Sequence, residues 1–474
     1  MITNPDKLTL REKLCYGSGD FASVLYWQTF TVFLPIFYTD VFGISAAAAG
    51  AVILFNRIFD GVNDPVMGMI ADRTETRWGK FRPYLLWICV PFAIVGVLTF
   101  TTPGFGSTGR LIWAFVTYNV LLMLYTAINI PYNAMLGVVT SDSVERTSLS
   151  SIKFLGAYAA STIVSATLLP MSSALGHGNA AQGWQRSFII YGIVAVIFFL
   201  TAFWGTRERI RPPKEQKTSV RRDLSDLLTN GPWIILLFTT FATVLCSSIR
   251  GSMIVHYFKY YVGEQTLALP FTGGAKIYDF ETIVSAFTFV GSISSVIGVL
   301  LLAWFVKRVG KKSAYIILFA VSVVSTSAFY FLQPGQLPAM FVLQVVGSGT
   351  GGPLSALIWA MFADTADYAE WKHGRRATGL VFSATSMGMK IGFAVGAAAA
   401  LWLLALIGYQ ANVAQTAEVC QGLVLLVSVI PAIFGVISIA LIMFYPLNTK
   451  KMQEIESALK ARRAGTDVAA TAVK

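Results

Sequence analysis

Charged residues, cysteine and histidine are scarce in this chain of 474 residues, and each scarcity excludes a class of protein. Only 13% of the residues are charged, whereas a soluble globular protein usually carries about a quarter. The four cysteines form no CxxC pair and the three histidines are dispersed, so neither a disulfide framework nor a metal site is expected. No Gly-x-Ser-x-Gly or HExxH motif occurs, and the sequence therefore does not predict an enzyme.

Long apolar runs are abundant instead. Hydrophobic residues make up 55% of the chain, and runs of about 20 residues, the length that crosses about 30 Å of hydrocarbon, recur along it. The N-terminal stretch MITNPDKLTLREKLCYG has no short apolar core with a small-residue cleavage site, so we expect no signal peptide. The twelve predicted spans are residues 17–39, 46–70, 83–103, 111–137, 150–175, 186–205, 233–262, 281–306, 313–333, 339–362, 377–408 and 422–446.

The net charge of +12 is concentrated in the two tails and in alternate loops. These segments hold 28 of the 36 Lys and Arg residues, whereas the other loops hold only Arg110, Arg186 and Lys276. By the positive-inside rule, both termini are expected in the cytoplasm. The sequence therefore predicts a multi-pass membrane protein, with the lipid bilayer as a partner and no nucleic acid.

The chain divides near its middle. Residues 206–232 form the longest predicted cytoplasmic connection, which is polar, basic and contains Pro212 and Pro213. A Gly-Lys pair follows the second span at Gly79 and the eighth span at Gly310. Six spans on each side of a central loop predict two related bundles around a central cavity. The predicted units are residues 1–205, the loop 206–232, residues 233–447 and a cytoplasmic tail 448–474.

The second predicted span contains charged residues where hydrocarbon is expected. Arg57, Asp60 and Asp64 are spaced i, i+3, i+7 and so share one helix face, with Asn63 beside them. Each ion would cost about 2.5–3.5 kcal/mol at a bilayer centre, so the face must meet protein or water. The oxygen ligands suit a small cation or a proton. The alternative is an Arg57–Asp60 ion pair that only holds helices together, which would leave Asp64 unexplained.

Polar and aromatic side chains in other spans form a second group, of the types that bind a neutral polyol by hydrogen bonding and ring stacking. Each also has an ordinary alternative, in interfacial belts, in helix hydrogen bonds or as a lysine reaching the interface. Asp20 is expected at the start of the first helix, where its negative charge interacts favourably with the helix dipole. The roles of Arg250 and His256 stay open. The predicted substrate-binding residues are Gln28, Tyr26, Tyr125, Asn129, Asn133, Lys153, Trp359 and Lys390.

Four motifs together resemble the glycoside–pentoside–hexuronide:cation symporter family. They are YGSGDFAS, RIFDGVNDPVMGMIADRTETRWGKFRPY, YTAINIPYNAML and ADTADYAEWKHGRRATG, and the resemblance extends from about Leu10 to Leu447. It implies an all-α membrane protein with the major-facilitator fold of twelve transmembrane helices in two six-helix bundles. It also implies symport of a sugar or glycoside with Na⁺, Li⁺ or H⁺, and no cofactor besides that ion. The implied location is the bacterial cytoplasmic (inner) membrane.

The resemblance also implies roles for individual residues. The family's lysine near the cation matches Lys390, and Lys153 matches its basic residue early in the fifth helix. The implied cation site is Asp60, Asn63, Asp64 and Thr126. The residue types at all four positions match the pattern of the Na⁺-using family members, which favours Na⁺ over H⁺.

The substrate positions depart from the galactoside pattern of the family. Val24 and Asn129 stand where melibiose permease has aspartates, and Asn133 stands where it has a tryptophan. The resemblance therefore favours the pentoside, glucoside or hexuronide class over α-galactosides. Two alternatives remain: a major-facilitator carrier for a non-sugar solute, and a non-transporting sensor on a carrier scaffold.

Charged residues of the cytoplasmic loops are expected to act as a gate. Ion pairs between basic residues and acids such as Glu145 would close the inner side and break on opening. A monomer is the default oligomeric state. The predicted gating residues are Arg73, Arg77, Lys80, Asp142, Asp364, Asp367, Arg375 and Arg376.

Overall fold

The computed structural model describes residues 8–140, 143–209, 227–268, 275–373, 378–455 and 457–459. The predictions for Asp142, Arg375 and Arg376 lie outside these residues. The helices are α1 Leu10–Val41, α2 Ala46–Arg73, α3 Arg82–Thr99, α4 Ser107–Val139, α5 Ser143–Gly176, α6 Ala180–Gly205, α7 Gly231–Val262, α8 Phe280–Val309, α9 Lys311–Phe331, α10 in two segments Leu337–Gly351 and Pro353–His373, α11 Thr378–Leu406, and α12 in two segments Ala417–Val427 and Val429–Met443.

Each of the twelve predicted spans overlaps a helix in the described part of the chain. Eleven spans in the described part of the chain are long and apolar enough to cross a membrane. The twelfth, α2, has 28 residues, which extend about 42 Å at 1.5 Å per residue. It is the helix that carries Arg57, Asp60 and Asp64, so its charge sets it apart from the others.

The apolar core distinguishes the two sides of the molecule. We call the side where α1 begins and α12 ends the terminal side, and the other the opposite side. On the opposite side one core joins the two bundles, with Phe37 of α1 and Phe258 of α7 among its buried residues. On the terminal side a separate core that includes Trp233, Tyr315 and Tyr445 belongs to α7–α12 and the segment after them. The bundles are therefore packed together at the opposite side.

π-helical turns interrupt α1 and α7, and such turns are frequent at functional sites. In α1 they are Thr29–Phe33 and Phe37–Val41, on either side of Pro35, which has no N–H to donate to the preceding turn. In α7 the π turn is Phe258–Val262. The last π turns of both helices lie on the opposite side, where the bundles meet.

A short β-hairpin connects α7 to α8 on the opposite side. β1 Gln265–Ala268 pairs antiparallel with β2 Ala275–Tyr278. The sequence analysis predicted helices alone, because strands of four residues are too short to display a period-two pattern.

A carboxylate from the end of α6 closes the turn between α2 and α3. Glu208 accepts the backbone N–H groups of residues 80–82 at 2.7–2.8 Å, which otherwise have no partner at the start of α3. Gly79 has φ +116°, and a Cβ there would lie 2.5 Å from the Glu208 carboxyl carbon. Gly310, at the corresponding turn of the second bundle, also has a positive φ of 80°. The repeated Gly-Lys pair thus marks left-handed turns in both bundles.

We expect Gly79→Ala to destabilise the protein by about 1–3 kcal/mol, because alanine is strained at this φ and would collide with Glu208. The thermal midpoint of the detergent-solubilised protein, followed by fluorescence-detected size exclusion, should fall. Gly104→Ala is the control, since nothing lies within 4 Å of a Cβ there and its φ is not positive. Equal midpoints for the two variants would contradict the proposed role of this turn.

Candidate functional site

Side chains from three helices meet in a polar group that we call the α2 cluster: Asp60, Asp64, Thr126 and Lys390. Thr126 Oγ1 of α4 lies 2.7 Å from Asp60 Oδ1 and 3.0 Å from Asp64 Oδ1. Lys390 Nζ of α11 lies 3.1 Å from Asp60 Oδ2 and 2.5 Å from Asp64 Oδ2. One ammonium thus faces two carboxylates. When all three are ionised, the cluster has one excess negative charge.

The α2 cluster becomes more exposed toward the terminal side. The Asp60 side chain is 0% exposed, whereas Asp64, one turn closer to that side, is 22% exposed and Lys390 is 16% exposed. Asp60 Oδ2 has the Lys390 ammonium 3.1 Å away but accepts no well-aligned hydrogen bond among the described residues. The predicted ligand Asn63 is half-buried. A buried carboxylate oxygen with spare acceptor capacity, next to a partly open carboxylate, is suited to a small cation.

Arg57 does not form the pair with Asp60 that would explain α2 structurally. Its Nε donates to the Tyr118 hydroxyl at 3.1 Å, and its guanidinium lies 4.5 Å from the Trp27 ring centroid. Nη1 is buried without a hydrogen-bond partner in the described part of the chain. Arg57 is therefore a buried cation held by aromatic residues, and both aspartates are left to Lys390.

Lys153, Asn133 and Asp20 form a second polar group in the first bundle. Lys153 Nζ of α5 donates to Asn133 Oδ1 of α4 at 2.5 Å and lies 3.8 Å from Asp20 Oδ1 of α1. Asp20 was expected at a helix end, but α1 already begins at Leu10. Because the helix begins ten residues earlier, Asp20 lies inside it, and its carboxylate is near the Lys153 ammonium instead of the helix N-terminus.

Tyr125 and Asn129 lie near the α2 cluster, whereas Tyr26 does not face it. Tyr125 stacks on Trp27 with ring centroids 5.8 Å apart, and Asn129 Nδ2 donates to the Tyr125 carbonyl at 2.9 Å. Tyr26 is 0% exposed and packs on Phe92 at 4.3 Å in the aromatic core of the first bundle. Residues 26 and 28 are about 200° apart on a helix, so helical periodicity already separates Tyr26 from Gln28.

A cavity of about 430 Å³ lies mainly in the second bundle, and we call it the C-bundle cavity. Helices α7–α10 supply most of its wall, and α1 and α5 complete it through Gln28, Val32 and Ser165. Ten of its twenty-five lining residues are Ser or Thr. Among the predicted substrate residues only Gln28 lines it, and Trp359 of α10 does not. The sequence analysis missed this surface because single Ser, Thr and Gly residues are ordinary in membrane helices.

The opposite side carries a hydrogen-bonded group that joins the bundles, here called the Asp40 cluster. Its members are Thr39 and Asp40 of α1, His256, Lys259 and Tyr260 of α7, and Tyr409 and Asn412 after α11. Lys259 Nζ donates to Asp40 Oδ2 at 2.5 Å. Tyr260 and Tyr409 also donate to the Asp40 carboxylate, and Asn412 Nδ2 donates to the Asp40 carbonyl at 2.7 Å. One buried carboxylate of the first bundle is thus held by three donors of the second.

A histidine and a protonated tyrosine complete the Asp40 cluster. His256 Nε2 lies 3.0 Å from Thr39 Oγ1, and the histidine is 0% exposed. Burial and the neighbouring Asp40 carboxylate raise the pKa of Tyr409, so its hydroxyl stays protonated and donates. Sequence patterns indicated nothing of this cluster beyond polar residues near helix ends, because its members come from three separate segments.

The gating residues that the structure describes lie on the terminal side. Lys311 pairs with Asp364 at 2.6 Å inside the second bundle, and Glu145 pairs with Lys13 at 2.8 Å inside the first. Neither pair crosses between the bundles. Arg73 and Arg77 are exposed, and Lys80 and Asp367 are half-buried. Gating by these residues therefore stays a prediction.

Comparison with known proteins places this arrangement in a family. The family described as MFS/sugar transport protein matches residues 15–449. YagG of Escherichia coli (strain K12), provisionally named a glycoside/cation symporter, is 35% identical over 97% of this chain and 96% of its own. The isoprimeverose transporter of Lactiplantibacillus pentosus is 34% identical over 92% of this chain and 88% of its own. A glucuronide carrier protein homolog of Escherichia coli (strain K12) is 29% identical over 95% of each.

A solved structure supports the fold independently. A point mutant of the nucleoside transporter NupG has a TM-score of 0.63 and 14% sequence identity, and covers 91% of this chain and 99% of its own. These relatives and neighbours are transporters, not enzymes. The chain is therefore a membrane transporter that belongs to the MFS sugar-transport family and, within it, to the glycoside–pentoside–hexuronide:cation symporters.

Proposed function

We propose that this transporter takes up a sugar or glycoside of the pentoside, glucoside or hexuronide class together with a monovalent cation. The single observation that carries the proposal is the excess negative charge of the α2 cluster. An uncompensated buried charge is costly, and a bound cation would neutralise it. Asn63 and Thr126 add neutral oxygen atoms, which favours Na⁺ as the coupling ion.

Lys390 would act as a tethered counter-ion in the empty carrier. It faces both carboxylates, and an entering cation would share or replace that contact. A bound cation would neutralise the cluster, whereas a sugar bound without the cation would leave its excess negative charge in place. A ligand shifts a conformational equilibrium only through such a difference between states, so this difference would couple cation and sugar.

The positive-inside pattern favours a cytoplasmic terminal side. The Asp40 cluster would then close the outer side, while Asp64 is exposed toward the inner side. In this proposal the structure corresponds to the inward-facing state. Opening outward requires the contacts of Asp40 with α7 and with the segment after α11 to separate.

The test is uptake into proteoliposomes of a small panel of pentosides, glucosides and hexuronides, under separate Na⁺ and pH gradients. We expect at least one glycoside to accumulate when a Na⁺ gradient is imposed, and no accumulation when both gradients are absent. Accumulation driven by the pH gradient alone would replace Na⁺ by H⁺. Uptake of no glycoside under any gradient would refute sugar symport and leave a non-sugar carrier or a sensor.

A further inference from the structure

Arg250 of α7 is a guanidinium in the wall of the C-bundle cavity with no acidic partner among the described residues. Its Nη2 donates to Gln344 Oε1 at 3.3 Å, and its Nη1 donates to the Val427 carbonyl at 3.2 Å. The Phe329 ring lies 4.3 Å from the guanidinium carbon. Because a guanidinium has five N–H donors, most of its donors are left for a ligand.

The two protein hydrogen bonds of Arg250 explain how it is held but not why it is charged. Pro431 has no N–H to donate to Val427 four residues earlier, and Arg250 satisfies that carbonyl at the break between the segments of α12. A neutral amide could do the same. A permanently charged group in a membrane helix is expensive and usually marks a ligand pathway.

The rest of the cavity wall offers acceptors and no charge in the part of the chain that the structure describes. Several of its hydroxyls already donate to helix carbonyls, among them Ser247, Thr288 and Ser292. Such hydroxyls can still accept hydrogen bonds from the hydroxyls of a sugar. No Asp or Glu is among the described lining residues. The cavity therefore combines acceptors for a polyol with one strong donor for an anion.

Several cations of the spanning helices have an opposite charge close by: Lys390 faces Asp60 and Asp64, Lys153 faces Asp20, and Lys259 pairs with Asp40. Arg57 instead lies against the Trp27 ring. Arg250 has no acidic partner among the described residues, and it lines a cavity. A cation at the α2 cluster would add one positive charge to the carrier, and a singly negative substrate at Arg250 would restore the net charge of the empty carrier.

We infer that the C-bundle cavity is the subsite for the anionic group of the substrate, and that Arg250 binds a carboxylate there through its planar donor pair. The inference rests on the proposed sugar symport and selects the hexuronide class within it. Gln344 positions the guanidinium, and Gln28 of the first bundle lines the same cavity.

The test uses matched substrates that differ at one carbon. Methyl glucuronide, methyl glucoside and methyl xyloside are compared for uptake by the parent protein in proteoliposomes and for equilibrium binding in detergent. The parent should prefer the glucuronide. Arg250→Gln should raise the KM and the Kd for the glucuronide by about 30-fold or more. The same constants for the glucoside and the xyloside should change by less than about threefold. Arg250→Lys should keep the preference for the glucuronide but bind it with lower affinity, because the positive charge remains and the planar pair of N–H donors is lost.

Arg186→Gln is the control, since Arg186 also donates to a helix carbonyl, that of Leu175 at 2.6 Å, but does not line the cavity. A parent that takes up the glucoside or xyloside but not the glucuronide overturns the inference and leaves sugar symport standing. An equal loss for all three substrates in Arg250→Gln also overturns it, because a structural role alone would explain that result. If Arg250→Gln does not fold, the inference is tested by the substrate preference of the parent protein and by that of Arg250→Lys. Binding of 2,3-dihydroxypropane-1-sulfonate, tested in parallel, would assign the subsite to a sulfonate if it exceeds glucuronide binding.

Discussion

Asp60→Asn and Asp64→Asn should each abolish concentrative uptake while the protein remains inserted in the membrane. Either change removes the excess negative charge of the α2 cluster, because Lys390 would then face a single carboxylate. An entering cation would then meet a neutral cluster with one carboxylate ligand fewer, so we expect cation affinity to fall by about 100-fold or more, which is about 3 kcal/mol. The measurements are accumulation driven by a Na⁺ gradient and the rise of the thermal midpoint on adding Na⁺.

Lys390→Met should have the opposite effect on cation affinity. It leaves both carboxylates without their ammonium, so cation binding should be retained or tightened although transport slows.

For the two aspartate variants, Glu454→Gln is the control for the carboxyl-to-amide change, since Glu454 is an exposed residue that pairs only with Lys451 among the described residues. Unchanged accumulation in both aspartate variants would show that Lys390 is the permanent partner of Asp60 and Asp64 and that no cation enters the α2 cluster.

Asp40→Asn should shift the conformational equilibrium toward the state open on the opposite side. Asparagine would leave the Lys259 ammonium without its carboxylate in a buried contact between bundles. A loss of about 3 kcal/mol would change the ratio of the two states by about 100-fold. Outward opening should therefore become detectable from outside the membrane.

Cys246 provides the reporter, because it is 6% exposed and lines the C-bundle cavity. In a background with Cys15, Cys89 and Cys420 replaced, a membrane-impermeant maleimide added to right-side-out vesicles should label Cys246 faster in Asp40→Asn than in the parent. Faster labelling in inside-out vesicles alone would reverse the predicted orientation. Equal rates in both preparations would show that the Asp40 cluster does not hold this side closed.

Removing both partners is the control for an unpaired charge. The double variant Asp40→Asn with Lys259→Met leaves neither the carboxylate nor the ammonium, so its labelling should return toward the parent. A double variant that labels as fast as Asp40→Asn would mean that the remaining donors of the cluster, Tyr260 and Tyr409, need the carboxylate themselves.

Sequence reasoning was strongest where the signal is local. The spans follow from apolar runs of membrane length, and each predicted range overlaps a helix although the ends differ by several residues. The spacing of Asp60 and Asp64 placed both carboxylates on one face of α2 before any packing was known. The family motifs supplied Thr126 and Lys390 as neighbours of the aspartates, and the structure brings all four side chains together. Tyr26, by contrast, faces the aromatic core of the first bundle.

The sequence by itself determined the twelve helices and the acidic face of α2, because a helix repeats its pattern over a few residues and must match the bilayer that surrounds it. Only the tertiary structure decided which charges meet. Lys390 takes both aspartates while Arg57 packs on Trp27, Asp40 joins the bundles, and Arg250 is left facing a cavity. Such partnerships depend on how distant helices pack and rotate against one another, which no local pattern records.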